Sequence, residues 1–148
     1  MSRMVLEWID GVKVIREMKA DEEPQIDLTE RKAAALSGTV ARCDEIAAQA
    51  TAGYVRMEIA AWPAKAADAR AVVAGGDPSL LLEVEAEALG VPVADLAVKI
   101  TQKAEVYETL IAKLAAIRQK AAMLFDAAPD VAVLQTSLET VYAELSAL

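Results

Sequence analysis

Residues Asp95–Asp126 read DLAVKITQKAEVYETLIAKLAAIRQKAAMLFD, and apolar residues return in them every three to four positions. This period places the apolar side chains on one side of an α-helix and predicts a long amphipathic helix. A seam of heptad spacing runs along it, with Lys103 as its one charged interruption. Its members are Ile100, Tyr107, Leu114 and Ala121 at one heptad position and Leu110, Ile117 and Leu124 at the other. A helix with such a seam needs a second element to cover it.

A second seam of the same period lies earlier in the chain and predicts that partner. Asp27 and Glu30 have the spacing of a capping box, so we expect a helix from there through Arg31–Ala61. Pro63 lacks an amide donor, and we expect it to kink or end this helix near Ala60. The seam consists of Leu36, Cys43, Ala50 and Met57, alternating with Val40, Ala47, Tyr54 and Ala61.

Glycine and proline divide the remainder into shorter helices and the long one. In Gly75-Gly76-Asp77-Pro78, Asp77 is expected to be an N-cap, and Gly90 is expected to end the helix that follows. The predicted helices are Ala64–Ala74, Ser79–Leu89, the long helix from near Ala94 to Ala127–Ala128, and Asp130–Leu148. The last carries a stripe of Val131, Leu134, Leu138, Val141 and Leu145. Two long seams predict an antiparallel helical hairpin or bundle, and a parallel trimeric coiled coil is the competing arrangement.

The N-terminal residues have a different pattern, typical of a β-hairpin. Residues Val5–Met18 place β-branched and aromatic residues on both sides of Asp10-Gly11, a dipeptide that favours a type I′ turn. A two-stranded hairpin is marginal alone, so we expect its apolar residues to pack on helices or on a partner: Val5, Trp8, Val12 and Ile15. Lys19–Asp27 is predicted to be an exposed acidic linker. The chain is therefore expected to be mainly α, with a hairpin and linker at 1–26 and an alanine-rich helical bundle at 27–148.

Composition limits the classes of partner. The 148 residues include 15 basic and 23 acidic side chains, for a net charge of −8, so a phosphate backbone or an anionic membrane surface would repel the chain. Although 55% of the residues are hydrophobic, charges interrupt every run that approaches the roughly 18 apolar residues of a spanning helix. The start, MSRMVLEWIDG, has acids where a secretory signal needs apolar residues. We therefore expect neither nucleic acid nor membrane as a partner.

The residue types offer little chemistry. There is no histidine, and the single Cys43 is expected to be a buried reduced thiol. Glu83, Glu85 and Glu87 could serve an enzyme that uses carboxylates alone, but their spacing of two on a helix favours a solvated face. We predict no enzyme, no catalytic residues, no cofactor and no metal.

Two aromatic residues are further candidates for contact with a partner. Trp62, next to Pro63, could anchor the core or belong to an exposed patch. Tyr107 and Tyr54 occupy matching positions of the two long seams and are typical of core or interface spacers.

Two segments resemble bacteriophage tail proteins. DGVKVIREMKADEE, residues 10–23, is similar to a short segment of phage tail-fibre and tail-fibre-assembly proteins, in which a small β unit precedes alanine-rich helices. Residues 42–130 are similar to a helical region of the same proteins. The more distinctive matches are Tyr54…Glu58…Trp62, Asp95-Leu96-Ala97, Lys103-Ala104 with Tyr107, and Arg118-Gln119.

The resemblance implies a small non-enzymatic tail protein that acts by protein–protein contact. Its expected partner is a tail-fibre or baseplate protein, and a homo-oligomer, for example a trimer, is expected. It would reside in the host cytoplasm during assembly or in the virion tail. The alternatives are an assembly chaperone that is not retained in the virion, or a phage-encoded acidic inhibitor of a host protein.

Overall fold

The computed structural model describes residues 4–9, 12–19 and 21–148. These ranges form a β-hairpin followed by a helical bundle, which confirms the predicted mainly α class. The elements are β1 (Met4–Ile9), β2 (Val12–Glu17), α1 (Glu23–Ala50), α2 (Arg56–Val73), α3 (Leu80–Leu89), α4 (Val93–Ala127) and α5 (Val131–Ser146).

Contacts within the chain divide it into two compact units. The first contains Met1–Arg42 and Ile117–Leu148, and the second contains Cys43–Ala116. Each unit therefore takes one part of α1 and one part of α4, which run antiparallel as predicted. In the first unit, Lys32 Nζ donates to the carbonyl oxygen of Asp126 at 2.8 Å. In the second, Cys43 is buried with its Sγ 4.0 Å from the carbonyl oxygen of Leu114.

The core of the first unit lies where α1, α4 and α5 bury their apolar sides. Phe125 is the largest of its fully buried side chains, and Thr39, also fully buried, donates its hydroxyl to the carbonyl oxygen of Ala35 at 2.9 Å. The other buried residues on α4, α5 and the turn between them are Ile117, Ala121, Ala128, Leu134, Val141 and Leu145. Phe125 lies beside the predicted seam, because a helix that faces two neighbours buries a wider side than one heptad stripe. The predicted stripe of α5 is wrong at Val131, which is 39% exposed at the first turn.

The core of the second unit is built from small side chains. Ala69, Leu82 and Ala97 are fully buried together, and Val72, Val93 and Ile100 pack against them. Alanine at two of these positions lets α2, α3 and α4 approach closely. The predicted α4 seam is buried or half-buried along its length, while Lys103 is exposed, so the seam prediction is confirmed.

The predicted end of the first long helix is wrong. The break lies after Ala50, where Gly53 has φ of +91°, a conformation that favours glycine, and α2 then continues through Pro63. Proline removes one backbone hydrogen bond from a helix, whereas a residue with positive φ ends it. As a result the predicted seam of the first long helix does not continue past residue 50, and its predicted member Met57 is 82% exposed.

Two predicted caps are also wrong. α1 begins at Glu23, inside the predicted linker, because Pro24 in a first turn loses no helical hydrogen bond. Asp27 is consequently within the helix and forms an i,i+4 ion pair with Arg31 at 2.7 Å. For α3 the N-cap is Ser79, not Asp77, and its Oγ accepts from the backbone N–H of Leu82 at 3.4 Å. Gly90 ends α3 as predicted, in the left-handed conformation.

Candidate partner-binding surfaces

The N-terminal hairpin is an isolated two-stranded antiparallel sheet within the described residues. Its register pairs Met4 with Glu17, Leu6 with Ile15, and Trp8 with Lys13. Directly paired positions of an antiparallel sheet belong to the same face, and neighbours along a strand alternate between faces. One face of the hairpin therefore includes positions 4, 6, 8, 13, 15 and 17, which we call the outer hairpin face.

Exposure distinguishes this face from the opposite one. On the outer hairpin face, Met4 is 55% and Ile15 is 64% exposed, and Glu17 is also exposed. On the opposite face, Val14 and Arg16 are half-buried. The described apolar side chains of the outer hairpin face, Met4 and Ile15, therefore lie exposed beside an unpaired strand edge, which is the feature to which a partner strand can be added.

The register separates the four predicted hairpin residues. The positions of Trp8 and Ile15 belong to the outer hairpin face, whereas those of Val5 and Val12 belong to the opposite one. The side chains of Val5, Trp8 and Val12 lie outside the described part of the chain, and so does the predicted turn at Asp10-Gly11. Of the four, only Ile15 is a described exposed side chain.

A bidentate ion pair attaches the hairpin to the residues just before α1. Arg16 donates from Nη1 and Nη2 to the two carboxylate oxygens of Glu22, each at 2.8 Å. The backbone N–H of Lys19 donates to Glu22 Oε2 at 2.9 Å. These hydrogen bonds, first that from Arg16 and then that from Lys19, lower the pKa of Glu22 from its ordinary 4.5 to about 2. The carboxylate therefore stays charged well below pH 4.5, and the ion pair connects β2 to the residues just before α1.

The two predicted aromatic residues, Trp62 and Tyr107, are brought together in the second unit with Tyr54. Trp62 lies between the tyrosines, with ring centroids 4.9 Å from Tyr54 and 5.2 Å from Tyr107. Both pairs are edge-to-face, at 84° and 82°. Trp62 and Tyr107 are half-buried, while Tyr54 is 40% exposed. This arrangement favours the core-anchor interpretation of Trp62, because its ring already packs against a tyrosine of the same chain on each of two sides.

A shallow groove of about 430 Å³ lies between α4 and α5 in the first unit. Its residues are Lys120, Leu124, Ala132, Val133, Thr136, Ser137 and Thr140. Thr136 and Thr140 donate to carbonyl oxygens one turn earlier, and Lys120 forms an ion pair with Glu144. These polar groups are engaged within the chain, whereas a small-molecule site needs polar groups that converge on the ligand.

The carboxylates singled out in the sequence do not form one cluster. Glu85 forms an ion pair with Lys65, whose Nζ lies 2.6 Å from Oε1, whereas Glu83 and Glu87 are exposed on another side of α3. Across the part of the chain that the structure describes, no group of three or more cysteine and carboxylate side chains could hold a metal ion.

Sequence reasoning missed one exposed apolar surface, on α3. Leu80 is 75%, Leu81 50% and Val84 56% exposed, although the neighbouring Leu82 is fully buried. The run LLLEVEAEAL is apolar on both sides of the helix, so its period does not indicate which side faces the core.

Comparison with known proteins assigns no family: no family model matches the chain, and neither a curated protein nor a solved structure is significantly similar to it. Among the described residues, no helix combines the length and the apolar character needed to cross a lipid bilayer.

Proposed function

We propose that this chain is a non-enzymatic bacteriophage tail protein, a small structural or assembly component that acts by binding a tail-fibre or baseplate protein. The observation that carries the proposal is the hairpin, with its exposed outer face and its strand edges. In the described residues the sheet has two strands, so each strand has one edge without a neighbouring strand. The phage assignment itself comes from the resemblance of residues 10–23 and 42–130.

The hairpin has the physical properties of an attachment element. An edge strand presents backbone N–H and C=O groups that a partner strand can pair with, while side chains of the exposed face supply specificity. Met4 and Ile15 would be covered in such a complex. The ion pair between Arg16 and Glu22 supports this role, because a hairpin held to the residues just before α1 loses less entropy on binding than one on a free linker.

The helical bundle would serve as the scaffold that carries the hairpin. A homo-oligomer, for example a trimer, fits a component that matches a fibre. A monomer that binds transiently in the host cytoplasm fits an assembly chaperone that does not remain in the virion. Light scattering of the chain, alone and mixed with proteins of neighbouring genes, separates these two forms.

Capture of a tail-fibre protein by the tagged chain tests the proposal. Ile15→Glu places a charge on the outer hairpin face, and we expect it to reduce capture at least tenfold. Val106→Glu is the matched control, because Val106 is an exposed apolar residue of α4, 73% exposed. We expect this control to retain capture. A well-behaved monomer that binds no tail component would overturn the proposal.

A further inference from the structure

The short helix α3 has two apolar sides, of which only one is used within the chain. Leu82 and Ala86 are 0% and 1% exposed, and Leu82 belongs to the buried core of the second unit. Four residues on the other side are exposed, and we call them the α3 outer face: Leu80, Leu81, Val84 and Ala88. At 100° per residue these four span about 100° of the helix, centred opposite the buried pair.

Four features hold in place the backbone under this face. Ser79 caps the N-terminus and Gly90 the C-terminus of α3, and the ion pair between Lys65 and Glu85 fixes one flank. Leu82 anchors the helix in the core. The exposed leucines therefore project from a preformed helix, which a partner can bind without paying to order it.

The two flanks of the α3 outer face differ in charge. Glu85 lies on the flank beyond Leu81 and is neutralised by Lys65. Glu83 and Glu87 lie on the opposite flank, beside Leu80, where their i,i+4 spacing makes them repel each other. No ion pair with another described residue reaches either of them, so this flank presents unneutralised negative charge next to apolar surface.

We propose that the α3 outer face is a docking surface for a basic amphipathic helix from another protein. The partner would place apolar residues, spaced three to four apart, on Leu80, Leu81 and Val84, and a lysine or arginine beside Glu83 and Glu87. The charge of this flank favours another protein over a second copy of this chain, because an antiparallel pair of copies would bring two such acidic flanks together in a protein of net charge −8. The contact extends over roughly 12 Å of helix, about two turns, which corresponds to a transient complex.

The surface lies on the second unit, whereas the hairpin belongs to the first, so the two proposals are tested independently. The probe is a synthetic helical peptide with leucines at i, i+3, i+4 and i+7 and lysines on one flank, titrated into the full chain and followed by NMR. We expect amide shifts confined to residues 79–89. A peptide with the same leucines and glutamates in place of the lysines should bind at least tenfold more weakly.

Two variants locate the contact on the protein. Val84→Ser should weaken binding of the lysine peptide at least tenfold, while Val106→Ser, at a comparably exposed valine, should leave it unchanged. The double change Glu83→Gln with Glu87→Gln should weaken binding and remove most of its salt dependence. All of these side chains are exposed, so the fold is expected to be retained.

The proposal would be overturned by equal binding of the two peptides, by shifts located on other helices, or by binding that Val84→Ser leaves unaltered. Self-association that Val84→Ser abolishes would show that a second copy occupies the face, and would likewise overturn it.

Discussion

Replacing Trp62 tests whether its ring is an anchor held by two tyrosines. The ring lies 4.9 Å from Tyr54 and 5.2 Å from Tyr107, edge-to-face in both pairs. Such a pair contributes about 0.5–1.5 kcal/mol beyond the area it buries. Trp62→Leu breaks both pairs, so it should lower the free energy of unfolding by about 1–3 kcal/mol from ring contacts alone. Tyr54→Leu breaks one pair and should cost about half as much from the same source.

Double-mutant cycles separate the ring contacts from the buried area that leucine also removes. We expect a coupling energy of about 0.5–1.5 kcal/mol between Tyr54 and Trp62, and the same between Trp62 and Tyr107. The cycle between the two tyrosines is the internal control. Each packs on the tryptophan and not on the other, so their coupling should be much smaller.

Urea unfolding followed by far-ultraviolet circular dichroism measures all three cycles. A coupling below about 0.3 kcal/mol between Tyr54 and Trp62 would refute the reasoning, since it would mean that the rings act independently. The same variants also examine the other interpretation of Trp62. If tryptophan were a docking residue, Trp62→Leu would abolish capture of a partner while leaving the free energy of unfolding unchanged.

Alanine should have opposite effects at two glycines. Gly38→Ala is expected to raise the free energy of unfolding by about 0.5–1 kcal/mol, because alanine is the better helix former and the nearest atom to the added methyl, a tyrosine hydroxyl at 3.2 Å, can shift. Gly53→Ala is expected to lower the free energy of unfolding by about 1–2 kcal/mol, because φ at Gly53 is +91°, which strains any residue with a Cβ even though the added methyl would meet no atom within 4 Å. Changes of the same sign in the two variants would contradict this reasoning. Thr101→Val should raise the free energy of unfolding by about 1 kcal/mol, because the buried Thr101 hydroxyl has no hydrogen-bond partner among the described residues. A loss of stability would mean that the hydroxyl is paired in solution. In an NMR titration Glu22 should have a pKa of about 2, and Arg16→Gln should raise that pKa. Because the pKa of Glu22 is lower in the folded than in the unfolded chain, the ion pair stabilises the fold fully above pH 4.5, and this contribution is lost as the pH falls towards 2. An unaltered Glu22 pKa in Arg16→Gln would show that the guanidinium is not its main cause.

The sequence determined the features that depend on neighbouring residues. The period of apolar residues in Asp95–Asp126 predicted α4 and the side it buries, and Gly90 ends α3 as predicted. The antiparallel pairing of the strands also followed from local pattern, since the register places two residues between Ile9 and Val12. Periodicity, caps and short turns act within a few residues, so they can be recognised along the chain.

The tertiary structure decided between alternatives that local pattern leaves equal. Both Gly53 and Pro63 can interrupt a helix, and Gly53 does so while α2 runs through Pro63 and places Trp62 between Tyr54 and Tyr107. Both sides of α3 are apolar, and only the packing of Leu82 onto Ala69 and Ala97 leaves the α3 outer face exposed. The physical reason is that burial depends on which distant elements cover a surface, and residues far apart in the sequence supply that cover.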